Sequence, residues 1–226
     1  MRQSKYIYNF ALGDVEGSKK LIHQLGGKGA NLAEMCSLKI PVPPGFTIST
    51  EVCNYYLKNK RFPKKFKDSV LKSIKKIESN LGCKFGSNKN PLLFSVRSGA
   101  RQSMPGMMET VLNVGLTPAT LLGLIKQTKD EKFVYDSYRR LIMMYSDVVM
   151  EKANNINCGM RERLESILAQ EKKTRDIVND SDLSIDDLKR LCAIFKKEVL
   201  INLKAEFPND PYDQLWNTIK AVFISW

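Results

Sequence analysis

Leu92–Gly115, LLFSVRSGARQSMPGMMETVLNVG, is the stretch whose reading decides the fold. It opens as an apolar strand, sets Arg97 and Arg101 on either side of Gly99, and runs through Ser103-Met104-Pro105-Gly106. It ends in a second strand-like run, Thr110–Val114. A strand that ends in Arg-Ser-Gly and passes into a Gly/Pro loop suits an anionic ligand, because backbone N–H groups and a guanidinium fork can converge there on one phosphate. The same residue types suit a β-hairpin with a solvent-exposed tip, since glycine and proline are turn residues. Residue types alone leave both readings open.

Upstream of this stretch the chain alternates strands and helices. Lys5–Phe10 alternates weakly and predicts a short strand. Gly26-Gly27-Lys28-Gly29 precedes Ala30–Cys36, where Leu32, Met35 and Cys36 form one apolar helical stripe. A glycine turn opening a helix puts N–H groups and the positive dipole end beside a lysine, which is phosphate-binding chemistry. A plain helix start after a turn gives the same string, and the spacing is not that of a Walker A loop. Pro41–Pro44 stiffens the chain before Gly45–Ser49, where Phe46 and Ile48 alternate with polar residues as a strand. Thr50-Glu51 predicts an N-cap with an acidic first turn, leading through Val52, Tyr55 and Tyr56. Phe66, Val70, Ile74, Ile77 and Leu81 then fall at helical spacing up to Gly82, a natural left-handed C-cap. Gly86–Asn90 is a polar loop, and Pro91 leads back to the opening strand.

Downstream of Leu116 the pattern turns wholly helical. Thr117-Pro118 is an N-cap followed by proline at the first helical position. Helices follow through Val134, Tyr138, Leu141, Tyr145 and Val148, then through Met160, Leu164 and Ile167. Ser184 with Asp187 three residues on forms a capping box before Leu188, Leu191, Phe195 and Val199. After Pro208–Pro211 a last helix carries Leu215, Ile219 and Val222. The expected division is therefore an α/β part at 1–116, a helical insertion at 117–207, and a returning helix at 208–226. Ala221–Trp226 is entirely apolar or small, whereas native termini are usually polar, so the chain is expected to be interrupted inside an element.

Composition narrows the function classes. With 226 residues, 43% apolar and 27% charged, the chain can bury an ample core. Its apolar runs fall short of the ~20 residues of a membrane span, and Met1–Phe10 has no signal-peptide core, so a cytoplasmic protein is expected. Cys36, Cys53, Cys83, Cys158 and Cys192 contain no C-x-x-C pair and read as free thiols in a reducing compartment, not as a zinc site. The net charge is +12, and eleven Lys/Arg against Asp68 and Glu78 put +9 of it between Lys58 and Lys89. That segment is either the solvated face of an amphipathic helix or a basic module for nucleic acid or an acidic partner. It lacks interleaved aromatics and any helix-turn-helix or zinc-finger pattern, which weighs against nucleic acid.

Leu25–Met35 (LGGKGANLAEM), Pro41–Ile48 (PVPPGFTI), Pro91–Met108 (PLLFSVRSGARQSMPGMM) and Ala221–Trp226 together resemble the N-terminal nucleotide-binding region of the pyruvate, phosphate dikinase family. Phosphoenolpyruvate synthases share the GGKGA and V-R-S elements but differ in the loop that follows, and are the nearest rival. The resemblance implies the N-terminal part of an ATP-grasp fold, of class α+β, with a large inserted helical subdomain. It also implies the reversible conversion of ATP, phosphate and pyruvate to AMP, pyrophosphate and phosphoenolpyruvate, with Mg2+ and a monovalent cation. A histidine on a separate swivelling domain carries the phosphoryl group, and the whole enzyme is expected to be a homodimer.

Position by position, Lys28 matches the lysine that contacts the nucleotide phosphates, and Arg97 the arginine that stabilises charge on the phosphoryl group in flight. Gly106 and Thr110 match loop positions that close over the triphosphate. Ser98, Gly99 and Arg101 lie in the same matched string and join the nucleotide-binding set, Arg101 either orienting the loop or touching ATP. Glu109 stands where the family has aspartate. Met104, Met107 and Met108 read as adaptable packing around the loop. His23, the only histidine, is not the carrier, because the Gly- and Thr-rich motif of the carrier is absent. The family's Mg2+-binding acidic residues and its adenine pocket are expected beyond Trp226, so the chain alone is expected to bind ATP weakly and not to turn over.

Overall fold

The computed structural model describes residues 5–99 and 110–226, and within them the architecture is mixed α and β. Two units emerge from the packing. One draws on Met1–Cys83, Arg97–Met107 and Val222–Trp226, the other on Lys84–Val96 and Met108–Ala221.

In the first unit, β1 (Ile7–Ala11) lies between β2 (Asp14–Val15) and β3 (Gly45–Ile48), all antiparallel. Gly13, with φ +83°, makes the tight return from β1 to β2. Between β2 and β3 runs α1 (Ile22–Ser37). Its buried face is Leu25, Ala30, Ala33 and Cys36, not the Leu32-Met35-Cys36 stripe expected from hydrophobicity, and Met35 is exposed. The cause is distance. A Cβ on Gly29 would lie 2.6 Å from Thr47 Cγ2 of β3, so only small side chains fit where the helix passes that strand.

α2 (Thr50–Asn59) starts one residue earlier than the sequence suggests: Ser49 is the N-cap in extended conformation, and the Thr50 hydroxyl donates instead to the His23 carbonyl at 2.9 Å. α3 (Phe66–Leu81) has the expected period, with Phe66, Val70, Ile74 and Ile77 buried, Lys65, Lys72 and Lys75 exposed, and Gly82 ending it at φ +66°. Leu81, expected on the same stripe, is exposed. Tyr56, Phe62, Phe66 and Phe223 form an aromatic cluster with successive centroids 5.1–5.6 Å apart along Phe66–Phe62–Tyr56–Phe223. Such pairs stabilise beyond the area they bury, and this one ties the segment around Phe223 into the unit.

In the second unit, β4 (Lys84–Phe85) pairs in parallel with β5 (Pro91–Leu92), and β6 (Phe94–Val96) pairs antiparallel with β7 (Val111–Val114). The two strands within the stretch 92–115 thus pair antiparallel, which both readings of that stretch allow. Gly115 follows with φ +106°, its Cα against the Phe85 ring. Five helices complete the unit: α4 (Pro118–Thr128), α5 (Glu131–Tyr145), α6 (Met160–Thr174), α7 (Ile185–Leu203) and α8 (Pro211–Ile224), whose last residues pass into the first unit. Val134, Tyr138, Leu141 and Tyr145 of α5, Leu164 of α6, and Leu188, Leu191, Phe195 and Val199 of α7 are buried.

Both expected caps are present. The Thr117 N–H donates to Thr120 Oγ1 at 2.8 Å, and the Ser184 N–H to Asp187 Oδ2 at 3.0 Å. The helix expected to run on through Val148 changes instead at Tyr145 into a π-helical turn, Ser146–Glu151. Its Ser146 hydroxyl bonds back to the Ile142 carbonyl, a contact that loosens the ordinary ladder. The turn aims the Glu151 carboxylate at the N–H groups of Cys158, Gly159 and Met160, at 2.7, 2.8 and 2.7 Å. A side chain seven to nine residues upstream therefore caps α6, whose own N-cap is Gly159. Buried Arg139 is paired with Asp136 at 2.6 Å and Asp180 at 3.1 Å, as a cation removed from water must be.

Candidate functional site

The GGKG turn of α1 and the Arg-Ser-Gly segment at 97–99 meet in the first unit, backbone against backbone. Gly26 breaks the helix with φ 67° and ψ 171°, a conformation open in practice only to glycine. A Cβ there would lie 1.8 Å from the Gly99 carbonyl oxygen and 2.7 Å from its carbon. In the reverse direction, a Cβ on Gly99 would stand 3.3 Å from the Leu25 carbonyl oxygen. Two glycines therefore let two main chains touch, and any side chain at Gly26 would force them apart.

The turn before Gly26 is held from other directions as well. The Tyr8 hydroxyl of β1 donates to Gln24 Oε1 at 2.9 Å, and Thr50 holds the His23 carbonyl. Burial, and then the nearby Glu51 charge, push the Tyr8 phenol above its ordinary range, so it remains a donor at neutral pH. His23 itself is exposed on the first turn of α1.

Beyond Gly26 the helix continues in regular form, so its positive end lies at Gly27–Gly29. Lys28 sits in that first turn and is half-buried; Arg97 follows β6 and is exposed. Among the described residues, neither makes an ion pair or a side-chain hydrogen bond. Both cations are accordingly available to a ligand. A guanidinium can grip two oxygens of one phosphate, whereas an ammonium acts as a mobile point charge.

Between Arg97 and Gly99, Ser98 is turned inward and 1% exposed, and its Oγ accepts the Trp226 indole N–H at 2.9 Å. The sequence singles out Ser98 but gives no sign of that partner, which lies 128 residues further on. Thr110 is half-buried just ahead of β7 and belongs to the second unit. Arg101, Gly106 and Glu109 lie outside the described residues. The fold therefore brings together the segments of Lys28, Arg97, Ser98 and Gly99.

Among the described residues no group of three or more His, Cys, Asp or Glu side chains could hold a metal ion, and no helix is long and apolar enough to cross a membrane. The five cysteines are free thiols, with Cys36, Cys53 and Cys192 buried.

Comparison with known proteins bears on this same region. Residues 22–69, which include the GGKG turn and β3, match the family described as pyruvate phosphate dikinase, AMP/ATP-binding domain. Pyruvate, phosphate dikinase of Clostridium symbiosum is 45% identical over 227 residues, covering 99% of this chain and 24% of that protein. The Rhizobium meliloti (strain 1021) protein of the same name is 44% identical over 224 residues, covering 99% and 24%. Pyruvate, phosphate dikinase 1, chloroplastic, of Arabidopsis thaliana is 44% identical over 223 residues, covering 98% and 22%. The chain spans about a quarter of the length of the curated relatives it matches. Over nearly its whole length it is similar to the N-terminal region of pyruvate, phosphate dikinases, as its motifs indicated.

Proposed function

We propose that this chain is the ATP-binding portion of a pyruvate, phosphate dikinase, a phosphotransferase that interconverts ATP, phosphate and pyruvate with AMP, pyrophosphate and phosphoenolpyruvate. The observation that carries the reading is the Gly26–Gly99 contact, which sets the lysine turn against the arginine strand end within one unit. Similarity along nearly the full chain to proteins of that name supports it. On this reading the fold is the first part of an ATP grasp, with residues 1–116 its α/β portion, 117–207 an inserted helical subdomain and 208–226 the returning helix. The protein acts in the cytoplasm, and the complete enzyme is a homodimer.

Phosphoryl transfer asks little covalent chemistry of a protein and much positioning and charge stabilisation. Charge stabilisation falls to Arg97, whose permanent charge and planar fork meet the oxygens of the phosphoryl group as negative charge builds on them. Lys28 binds the nucleotide phosphates from the helix end, where the dipole adds to its charge. Ser98, Gly99 and Arg101 are assigned to the same nucleotide-binding set, and Gly106 and Thr110 join it by their match to the family's loop that closes over the triphosphate. The phosphoryl group then passes to a histidine on a swivelling domain outside this chain.

Mg2+ would arrive with ATP, and a monovalent cation serves the complete enzyme. On this reading the protein's own ligands to Mg2+ belong to the part of the grasp outside this chain. Mg2+ when bound neutralises phosphate charge.

Isothermal titration with Mg-ATP tests the reading. The expected dissociation constant is weak, about 1 mM, because only part of the nucleotide's contacts come from this chain. Arg97→Ala and Lys28→Ala each weaken it about tenfold or more, and ATP protects Arg97 from a guanidinium-selective reagent. Submicromolar affinity would overturn the need for the remaining part of the grasp. Unchanged affinity in both variants would overturn the site.

A further inference from the structure

We propose that Tyr8 and Thr50 are positioning residues for Lys28, holding the kink at Gly26 at the angle that sets Lys28 and Arg97 on the phosphates of one nucleotide. The proposal rests on the nucleotide reading above. Lys28 lies two positions beyond Gly26, and Arg97 two positions before Gly99. Both cations are therefore carried on short tethers from the point where the two main chains touch. Gly26, at φ 67° and ψ 171°, is out of helical conformation. Helical geometry alone does not set the angle between Ile22–Leu25 and the run from Gly27 onward; that depends on what holds each piece.

Each piece is held from outside. Ahead of the kink, the Tyr8 hydroxyl of β1 donates to Gln24 Oε1 and the Thr50 hydroxyl to the His23 carbonyl, both at 2.9 Å. Thr50 is the first residue of α2, whose N-cap is Ser49, so its hydroxyl serves the neighbouring helix and not its own. Beyond the kink, Gly29 lies against Thr47 of β3, closer than a side chain would allow. Tyr8 and Thr47 are partners across the β1–β3 pairing, so their side chains leave the same face of the sheet. One reaches α1 at Gln24 and the other at Gly29, and the sheet thus grips the helix on either side of Gly26. Two hydroxyls fix the leading piece, and through it the bearing of Lys28 in the turn that follows.

The test is Mg-ATP affinity in single and paired variants, followed by NMR shift titration, which reads weak binding, with thermal melting as a control on folding. Tyr8→Phe keeps the ring, and with it the Lys5 ammonium 5.1 Å from its centroid, and removes only the hydroxyl. Thr50→Val removes the other donor at nearly constant shape, and Thr50→Ser retains it. We expect Tyr8→Phe and Thr50→Val each to weaken Mg-ATP about threefold to tenfold, the worth of one neutral hydrogen bond. Thr50→Ser should bind as the wild type does. In a Lys28→Ala background Tyr8→Phe should add nothing, because the group it aims has gone. A second readout needs no ligand: hydrogen exchange of the Gly27 and Lys28 amides should rise in Tyr8→Phe and Thr50→Val but not in Thr50→Ser.

Wild-type affinity in both Tyr8→Phe and Thr50→Val overturns the proposal, whatever they do to melting, because a hydroxyl that only adds stability leaves the folded site as it was. Full additivity of Tyr8→Phe with Lys28→Ala overturns it too, as does unchanged amide exchange. If Arg97→Ala and Lys28→Ala leave affinity unchanged, the nucleotide reading itself falls. If they weaken it while Tyr8→Phe and Thr50→Val do not, the reading stands and only this proposal falls.

Discussion

Replacing Gly26 by alanine should do more damage than any other single methyl group in the first unit. The added Cβ would sit 1.8 Å from the Gly99 carbonyl oxygen, and real contacts of that kind begin near 3.0 Å, so one main chain must retreat by at least 3.0 − 1.8 = 1.2 Å. The φ of 67° with ψ 171° adds backbone strain of about 1–3 kcal/mol for any L side chain. Gly82→Ala gives a baseline: Gly82 has φ +66° and ψ 16°, ordinary left-handed backbone, and nothing within 4 Å of where a Cβ would stand, so it reports that milder strain without a clash. We expect Gly82→Ala to cost about 1 kcal/mol and Gly26→Ala about 3 kcal/mol or more, since strain and overpacking add. For a chain of this size, the larger value lowers Tm by about 6–12 °C. Differential scanning calorimetry measures both, and hydrogen exchange at Ser98 and Gly99 should rise only in Gly26→Ala. Equal destabilisation of the two variants would refute the claim that the two segments touch.

Three further outcomes follow from the second unit. Gln214 is fully buried, accepts the Gly115 N–H at 2.9 Å and donates to the Leu116 and Pro208 carbonyls at 3.1 and 3.0 Å, so Gln214→Leu should cost about 2–4 kcal/mol by leaving those groups unpaired. Urea denaturation checks this, and a loss below about 1 kcal/mol would mean that the carbonyls find other partners. Burial raises the Asp187 carboxyl, but hydrogen bonds from the Ser184 hydroxyl and N–H and from Arg190, with the Arg175 charge, outweigh it and hold the group down to about 2. Its stabilisation is therefore complete above the unfolded value of about 4 and is lost as pH falls towards 2, so urea midpoints should drop over that window and Asp187→Asn should flatten the drop. Lys129 caps α4 in the left-handed region at φ 55°, so Lys129→Gly should stabilise by about 1 kcal/mol, whereas Lys126→Gly inside the helix should destabilise by a similar amount, both read from urea midpoints.

What could be read directly from the sequence was whatever depends on near neighbours. The Ser184–Asp187 box, the Thr117-Pro118 start, the Gly82 stop and the four-residue rhythm of Phe66, Val70, Ile74 and Ile77 are all set within one or two turns of helix. The misses are those in which a distant partner decides. Met35 lost its place on the buried face to Ala33 because β3 comes too close for a long side chain. Thr50 gave up capping because the His23 carbonyl claims its hydroxyl. Nothing near Gly159 shows that Glu151 will cap α6 across a π-helical turn. Of the candidate site, Lys28, Arg97 and Ser98 were legible as types in a pattern. The Gly26–Gly99 contact and the Trp226 donor were not, since each joins residues more than seventy positions apart.

The three-piece make-up of the first unit has a consequence for how the chain is born. Residues up to Cys83 supply its sheet and helices, yet Phe223 and Trp226 supply part of its aromatic cluster and the donor to Ser98. On a ribosome adding roughly 5–20 residues per second, the closing piece emerges about 7–30 s after Cys83. Through that interval Phe62 and Tyr56 lack a ring that later covers them. Contacts spanning 170 positions, such as Cys53 with the Phe223 carbonyl, are entropically late to close. The nascent first unit therefore keeps that aromatic surface uncovered until Phe223 is made, and loss of the segment from Val222 to Trp226 would leave it so.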